Sequence, residues 1–335
     1  MTDLKTGKIN SELLGRLLDR YTRLGNRVAI GAGIGEDAAA IEMGEGYLLA
    51  KTDPITHVTD RIGYYAVHIN ANDIAAMGGT PRWFLATVLM PQGSALEDLE
   101  KIFAQVSTTC KDLGVSYCGG HTEITTAVRN PVVIGQMLGE APKGGLKPTS
   151  GAREGDSIIM TKCAGIEATA IIALELESEL RKTFSGKLLD RAKNYLTNPG
   201  ISVVKDARVL GGMSAVHALH DPTEGGIATG IFEIAEASGL GVTVNADSIP
   251  ISEETRLLCE YLDVNPLGTF ASGSLLAAVD RREVEEALRR LNEAGIPAFT
   301  VGATGPPGGG KWLNLGRECI PLPVFHQDEL SRIFG

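Results

Sequence analysis

At residues 72–81 the sequence reads Asn-Asp-Ile-Ala-Ala-Met-Gly-Gly-Thr-Pro, which predicts the end of a helix followed by a Gly-Gly turn. The helix is predicted to begin at residue 60, with an apolar stripe from Ile62 to Ile69. At about 100° per residue, Asp73 returns to nearly the angle of Ile62 and points where a core residue is expected. A buried carboxylate must be paired, hydrogen-bonded or metal-bound, since leaving it alone costs on the order of several kcal/mol. We therefore favour a functional site at Asp73 over a carboxylate that caps a local group in a frayed last turn.

Three further segments combine flexible backbone with carboxylates. They are Gly33-Ile34-Gly35-Glu36-Asp37-Ala38-Ala39, Gly119-Gly120-His121-Thr122-Glu123 and Asp221-Pro222-Thr223-Glu224-Gly225-Gly226. In addition, Asp53 lies just past the strand predicted for residues 47–51, and strand ends often carry ligand-binding residues. Glycine lets a ligand approach the backbone, and carboxylates hold Mg2+ on a polyphosphate. Each segment alone is an ordinary turn, but the set predicts chemistry with ATP and Mg2+.

The segment at Asp221 also has a complete structural explanation as a helix start. Asp221 would be the N-cap, Pro222 the first helical residue and Glu224 the partner in a capping box. This explanation leaves Gly225 and Gly226 open, because two glycines in a first turn cost roughly 1 kcal/mol each relative to alanine. An anion bound at the helix N-terminus would account for such a close approach. Both interpretations stay open, and they are compatible.

Two lysines and a histidine are further candidates. Lys51 and Lys162 both end predicted strands and could balance phosphate charge, although a solvated lysine is the ordinary alternative. His121 and the glycines before it follow the strand predicted for residues 115–118, where phosphate or substrate could be held. A histidine beside a threonine is more often a hydrogen-bonded loop residue than a catalyst.

Composition limits the class of protein. A chain of 335 residues with 43% hydrophobic residues favours two domains. A Gly/Pro/Lys-rich linker at residues 141–148 divides the chain into residues 1–148 and 149–335, and both halves mix predicted strands and helices. A net charge of −10 without a Lys/Arg run argues against nucleic acid. No apolar stretch is long enough for a membrane span, and five scattered cysteines suit a reduced, cytoplasmic setting.

In this order the acidic segments resemble those of the AIR synthase (PurM) superfamily of ATP-dependent enzymes. The resemblance is carried by residues 35–39, 72–81 and 221–226 and extends over about residues 30–305. Residues 161–170, Thr-Lys-Cys-Ala-Gly-Ile-Glu-Ala-Thr-Ala, and residues 273–276, Gly-Ser-Leu-Leu, are most similar to the HypE branch. The resemblance implies a two-domain PurM-like fold, α/β plus α+β. The sheet of the N-terminal α/β domain would join that of a second copy in a homodimer, and the C-terminal domain would be α+β.

The resemblance also implies roles for individual residues. ATP phosphates would be held through Mg2+ by Asp37, Asp53, Asp73 and Asp221. The candidate catalytic residues are Asp73, His121 and Glu123. The candidate nucleotide-binding residues are Gly33, Gly35, Lys51, Gly119, Gly120, Thr122, Lys162, Gly225 and Gly226. A cage of metal and carboxylates suits phosphoryl transfer, which depends mainly on positioning and charge stabilisation.

The function implied first is that of a HypE-like synthetase or phosphotransferase, which activates a small-molecule or carboxamide-type acceptor and has a maturation protein as its partner. HypE proteins carry their substrate on a C-terminal cysteine, whereas the last cysteine here is Cys319, which favours a different acceptor. One alternative is thiamine-monophosphate kinase, a branch that normally has an aspartate where His121 stands. The other alternative is a nucleotide-binding dimer without catalysis.

Overall fold

The structure is a computed structural model that describes residue 9, residues 11–56, residue 58 and residues 60–334. The chain forms two compact units. The N-terminal unit comprises residues 24–31 and 38–146, and the C-terminal unit comprises the described residues up to 23, residues 32–37 and residues 147–334. The change of unit after residue 146 lies close to the predicted boundary after residue 148. The grouping of residues 32–37 with the second half of the chain was not predicted.

Secondary structure alternates along both units. The strands are β1 (Val28–Ile30), β2 (Ala39–Met43), β3 (Gly46–Ile55), β4 (Thr80–Pro91), β5 (Ser116–Thr125), β6 (Val132–Pro142), β7 (Ser157–Thr161), β8 (Val216–His220), β9 (Gly241–Asn245), β10 (Leu276–Val279), β11 (Ala298–Gly305), β12 (Lys311–Leu315) and β13 (Glu318–Pro321). The helices are α1 (Ser11–Tyr21), α2 (Ile62–Ala76), α3 (Leu96–Leu113), α4 (Ile166–Glu175), α5 (Glu177–Leu180), α6 (Gly186–Asn194), α7 (Val204–Gly211), α8 (Gly226–Ala237), α9 (Glu253–Leu262), α10 (Val284–Glu293) and α11 (Ser331–Phe334).

The N-terminal unit is a six-stranded sheet covered by α2 and α3. Its strand order is β1-β2-β3-β6-β4-β5, with antiparallel neighbours except for the parallel pair β4 and β5. Helix α2 packs on β3, β4 and β6 on one side and on α3 on another, so nearly all of its side chains are buried. Polar residues within α2 are therefore held inside the unit, and Asp73 is one of them.

The C-terminal unit is a seven-stranded sheet in the order β13-β12-β9-β11-β7-β10-β8. Only β9 and β12 are parallel, and the other neighbours are antiparallel. The central strands β7 and β10 are buried throughout, which explains their continuous runs of small and apolar residues. The buried apolar face of α8 packs in the core cluster with β7, β9 and β10, and this packing fixes the position of its N-terminus.

The predicted two-domain fold is confirmed, and the predicted bounds of individual helices and strands vary in accuracy. The sequence pattern predicts a helix at residues 96–113 and a strand at residues 157–161, and α3 and β7 match these bounds residue for residue. Strand β5 was predicted to end at Cys118, but it continues to Thr125 because its residues pair with β4 along its whole length. Among the residues that the structure describes, no helix combines the length and apolar character that a membrane span requires.

Candidate active site

Three of the predicted site residues lie together in the N-terminal unit, where the ammonium group of Lys51 contacts the carboxylates of Asp53 and Asp73. Lys51 Nζ lies 3.4 Å from Asp53 Oδ2 and 3.2 Å from Asp73 Oδ1. Asp73 is buried, as its angle on the helix predicts, while the side chain of Asp53 is partly open to solvent. The prediction that a buried Asp73 must be paired is confirmed. Two carboxylates share one cation here.

An asparagine that the sequence analysis missed holds the backbone of this cluster. Asn70 is fully buried on α2, and its Oδ1 accepts a hydrogen bond from the amide of Asp53 at 2.9 Å. Its Nδ2 donates to the carbonyl of Ala66 at 2.9 Å and to that of Asp53 at 3.4 Å. The sequence contains a signal for this role, because Asn70 lies four residues after Ala66 and is therefore a polar residue on the predicted apolar face of the helix.

The Gly-Gly motif was predicted to follow a strand. In the structure it lies within the edge strand β5. Its position in the sheet is specific, because Asp53, Gly135, Ala86 and Gly120 are paired in one row across four strands. Three strand spacings of about 4.8 Å put Gly120 roughly 14 Å from Asp53 along this row. Gly120 has a φ of 144°, and a Cβ there would lie 1.9 Å from the carbonyl oxygen of Ala86, so only glycine fits.

The predicted catalytic pair His121 and Glu123 is exposed on this edge strand. The side chain of His121 is 69% exposed, and its Nε2 lies 3.9 Å from Glu123 Oε2. A cavity of about 400 Å3 opens beside them, lined by Ala86, Phe103, Tyr117, Cys118, Gly119, Gly120, His121 and Thr122. Its volume falls in the range of small-molecule sites. The two glycines, Thr122 and His121 therefore line a cavity at the sheet edge, while their contact with a nucleotide remains a prediction.

In the C-terminal unit, Asp37 belongs to a buried network that also includes a histidine missed in the sequence. Asp37 Oδ1 lies 3.1 Å from Nδ1 of His220, and Nε2 of His220 lies 3.0 Å from Oε2 of Glu233 on α8. The Oγ1 of Thr149 approaches Asp37 Oδ2 at 3.3 Å. Burial acts to lower the pKa of His220, but Asp37 and Glu233 outweigh it and raise this pKa to about 10. His220 ends β8, a strand that the sequence analysis did not predict.

The glycine-rich loop before Asp37 is fixed by the same unit. The Glu36 carboxylate accepts hydrogen bonds from the amides of Ser150 and Thr149 at 3.2 and 3.3 Å. Gly35 has a φ of 78°, and a Cβ there would lie 3.2 Å from Cβ of Glu233. Gly35 thus lets this loop lie against α8, and a nucleotide contact at Gly33 or Gly35 stays a prediction.

The helix after Asp221 starts later than the capping interpretation requires. Helix α8 begins at Gly226, with Gly225 as its N-cap in the left-handed region, so Asp221 and Glu224 do not form the predicted capping box. The anion at this N-terminus belongs to the chain itself, because the amide of Gly225 donates to Asp328 Oδ2 at 3.0 Å. A Cβ on Gly226 would lie 2.3 Å from the carbonyl oxygen of Leu267. Packing within the unit therefore explains both glycines without a nucleotide, while Asp221 is a buried carboxylate just past β8.

A second buried carboxyl lies near Asp328. Burial raises the pKa of Glu167 on α4 to about 7, and the charges of Asp328 and Glu224 act in the same direction. Burial likewise raises the pKa of Asp328 to about 7, and the charge of Glu224 acts in the same direction. Both carboxyls therefore exchange their protons near neutral pH.

Lys162 makes three contacts within its own unit. Its Nζ forms a buried ion pair with Asp206 Oδ1 at 3.0 Å. The same ammonium donates to the carbonyl oxygens of Ser202 at 2.8 Å and Gly273 at 2.7 Å. These contacts explain the buried lysine without a ligand, while the predicted phosphate contact stays a prediction.

The oxygen donors of the predicted metal ligands fit Mg2+. Among the described residues no three His, Cys, Asp or Glu side chains converge as a complete metal site. Mg2+ does not require one, because it is commonly bound through one or two carboxylates together with water and substrate phosphates. The pair of Asp53 and Asp73 meets this requirement, and Lys51 beside it suits a phosphate. Mg2+ binding remains a prediction.

With this geometry in view, the chain can be assigned to a family. The model of the AIR synthase related protein N-terminal domain matches residues 35–141, and that of the C-terminal domain matches residues 153–311. The protein therefore belongs to the AIR synthase related protein family, and its two units carry the two domains of that family.

The chain is similar over most of its length to proteins of known name. The chain is 27% identical to a hydrogenase expression/formation protein of Methanocaldococcus jannaschii, over 95% of both chains. It is 29% identical to carbamoyl dehydratase HypE of Rhizobium leguminosarum bv. viciae, over 80% of this chain and 75% of the relative.

Solved structures agree in fold. The HypE–HypF complex contains a chain with a TM-score of 0.76 and 20% identity, covering 94% of this chain and 100% of that chain. HypE in complex with ATP has a TM-score of 0.72 and 22% identity, covering 93% and 95%.

Proposed function

We propose that this protein is an ATP- and Mg2+-dependent enzyme of the HypE type, which activates a small-molecule or carboxamide-type acceptor by phosphoryl transfer. The observation that carries the proposal is the cluster of Lys51, Asp53 and Asp73, whose two carboxylates would hold a metal ion and whose ammonium would offset phosphate charge. Support comes from relatives named carbamoyl dehydratase and from the similar HypE structure that contains ATP.

The residues of the N-terminal unit divide the work of binding. Asp53 and Asp73 would hold Mg2+, and Lys51 would offset phosphate charge. Asn70 fixes the backbone of Asp53, so that this carboxylate starts from a defined position. Bound ATP would supply the phosphoryl group that makes the acceptor oxygen a leaving group. Asp37 and Asp221 of the C-terminal unit are kept as predicted Mg2+ ligands.

Among the alternatives, the comparisons favour the HypE type over thiamine-monophosphate kinase. The curated relatives described above are hydrogenase-maturation proteins. The structure of a thiamine-monophosphate kinase in complex with AMPPCP and TMP has a lower TM-score of 0.69. No observation on the site favours the kinase or the dimer without catalysis.

We extend the proposal to partners. Strand β5 is an exposed sheet edge with Ile124 56% exposed, and such an edge invites pairing with another strand. A second copy of the chain pairing along β5 would give the predicted homodimer, and light scattering of the whole protein would show its mass. The HypE–HypF structure supports a maturation protein as a further partner, and a cytoplasmic location stays a prediction.

Calorimetry with ATP, with and without Mg2+, tests the nucleotide site. We expect Asp73→Asn to weaken Mg2+-ATP binding by tenfold or more, about 1.4 kcal/mol, while the fold is retained. Asp98→Asn, on the exposed surface of α3 in the same unit, is the matched control and should bind like the wild type. Lost stability with unchanged nucleotide affinity would show that Asp73 is structural.

A screen for ADP release then tests turnover. Carboxamides, thiamine phosphate and ribonucleotides are the acceptor classes to compare. ADP release with a carboxamide is the expected result, whereas release with thiamine phosphate would indicate the kinase. Nucleotide binding without turnover on any of them would favour the dimer that lacks catalysis.

A further inference from the structure

The carboxylate of Asp37 is oriented by a histidine that lies between two acids. The Nδ1 of His220 faces Asp37 and its Nε2 faces Glu233, at 3.1 and 3.0 Å. A carboxylate only accepts hydrogen bonds, so both ring nitrogens must donate, and His220 is an imidazolium. The side chains of Asp37 and His220 are each 5% exposed, and that of Glu233 is 15% exposed, so water screens these charges little.

Asp37 keeps capacity for a further partner in this arrangement. His220 Nδ1 and Thr149 Oγ1 approach its two carboxylate oxygens. Two carboxylate oxygens offer about four acceptor positions, so these contacts leave room for a cation that takes oxygen ligands. The carboxylate oxygens of Asp37 are therefore of the donor type that Mg2+ takes, and the imidazolium of His220 sets their orientation.

We propose that His220 is a positioning residue, which holds the Asp37 carboxylate in the orientation required to bind Mg2+ and is itself fixed by Glu233. This inference rests on the proposed function, in which Asp37 is a Mg2+ ligand. The general precedent is the second layer of a metal site, where groups that hydrogen-bond to a ligand fix its orientation. The imidazolium also reduces the repulsion between two buried carboxylates before any metal binds.

A purely structural role is the competing explanation, because His220 links β8 to α8 through Glu233 and to residues 32–37 through Asp37. The two explanations differ in one measurable respect. A structural link affects only the stability of the folded protein. A positioning residue also affects the affinity of the folded protein for the metal.

The probe is Mn2+, whose binding is followed by electron paramagnetic resonance on the whole protein with adenylyl imidodiphosphate present. We expect His220→Gln to weaken Mn2+ binding by 10- to 100-fold, which is the usual effect of losing a group that orients a metal ligand. Affinity for the nucleotide without metal should stay unchanged. Glu233→Gln keeps the histidine and should also weaken Mn2+ binding. This second variant tests the proposal if His220→Gln does not fold.

His217→Gln is the matched control. His217 lies on the same strand, is nearly buried, and has its Nδ1 2.9 Å from Asp156, but it pairs with no predicted ligand. This variant should lose stability and bind Mn2+ like the wild type. Unchanged Mn2+ affinity in folded His220→Gln and Glu233→Gln would overturn the proposal. Absence of Mn2+-nucleotide binding in the wild type would instead overturn the proposed function, and the role of His220 would fall with it.

Discussion

Replacing Lys162 by Met should destabilise the C-terminal unit by about 3–5 kcal/mol, because the change removes one partner of a buried ion pair. The side chain of Lys162 is 8% exposed and that of Asp206 is 2% exposed, at a separation of 3.0 Å. Without the ammonium, Asp206 stays buried with its counter-charge gone. The carbonyl groups of Ser202 and Gly273 lose their charged donor at the same time.

Urea unfolding followed by circular dichroism would measure this loss, with calorimetry on the folded protein for ATP affinity. Lys193→Met is the control, since Lys193 pairs with Glu177 in the same unit in a more solvent-exposed setting, where ion pairs contribute little. We expect folded Lys162→Met to bind ATP like the wild type. A change in unfolding free energy below about 1 kcal/mol, together with weaker ATP binding, would refute the reasoning and restore the phosphate contact predicted from sequence.

Two further changes test the packing around α8 and the buried carboxyls. Gly226→Ala should cost about 2–4 kcal/mol in urea unfolding, because its φ of 71° and the carbonyl of Leu267 leave no room for a Cβ; a neutral effect would mean that the loop moves freely. Glu167 has a pKa raised to about 7 in the fold, against about 4.3 in the unfolded chain, so the native state binds more protons between these values. The free energy of unfolding should therefore fall as pH rises from about 4.5 to about 7, by up to about 1.4 kcal/mol per pH unit. Glu167→Gln should flatten this decline in a series of thermal melts, and parallel profiles for the two proteins would contradict the assignment.

The local sequence pattern was sufficient to predict a residue's environment where a single helix or strand determines that environment. The helical angle of Asp73 predicted its burial. The strand predicted for residues 47–51 was correct in type but too short, because β3 continues to Ile55 and places both Lys51 and Asp53 within it. The bounds of α3 were also predicted correctly from the local sequence pattern. These predictions needed no knowledge of which elements are neighbours in space.

For two predicted ligand contacts the structure shows another partner, which comes from a distant part of the chain itself. Gly225 was interpreted as a contact for a bound anion, but the carboxylate on its amide is that of Asp328, about a hundred residues later. Lys162 was interpreted as a phosphate contact, but Asp206 and two carbonyl groups occupy it. Sequence shows that a glycine or a lysine has a special environment, whereas only the fold shows whether the chain itself supplies that environment.

Cations supplied by the chain itself also explain how carboxylates can lie close together in both units. In the N-terminal unit Lys51 lies between Asp53 and Asp73, and in the C-terminal unit His220 lies between Asp37 and Glu233. Each group places one cation between two carboxylates, which limits the cost of desolvation. A divalent cation would add positive charge to such a group, and a phosphate could then offset that charge. The internal cations therefore stabilise these clusters, whose carboxylate oxygens are of the donor type that a phosphate-bound Mg2+ takes.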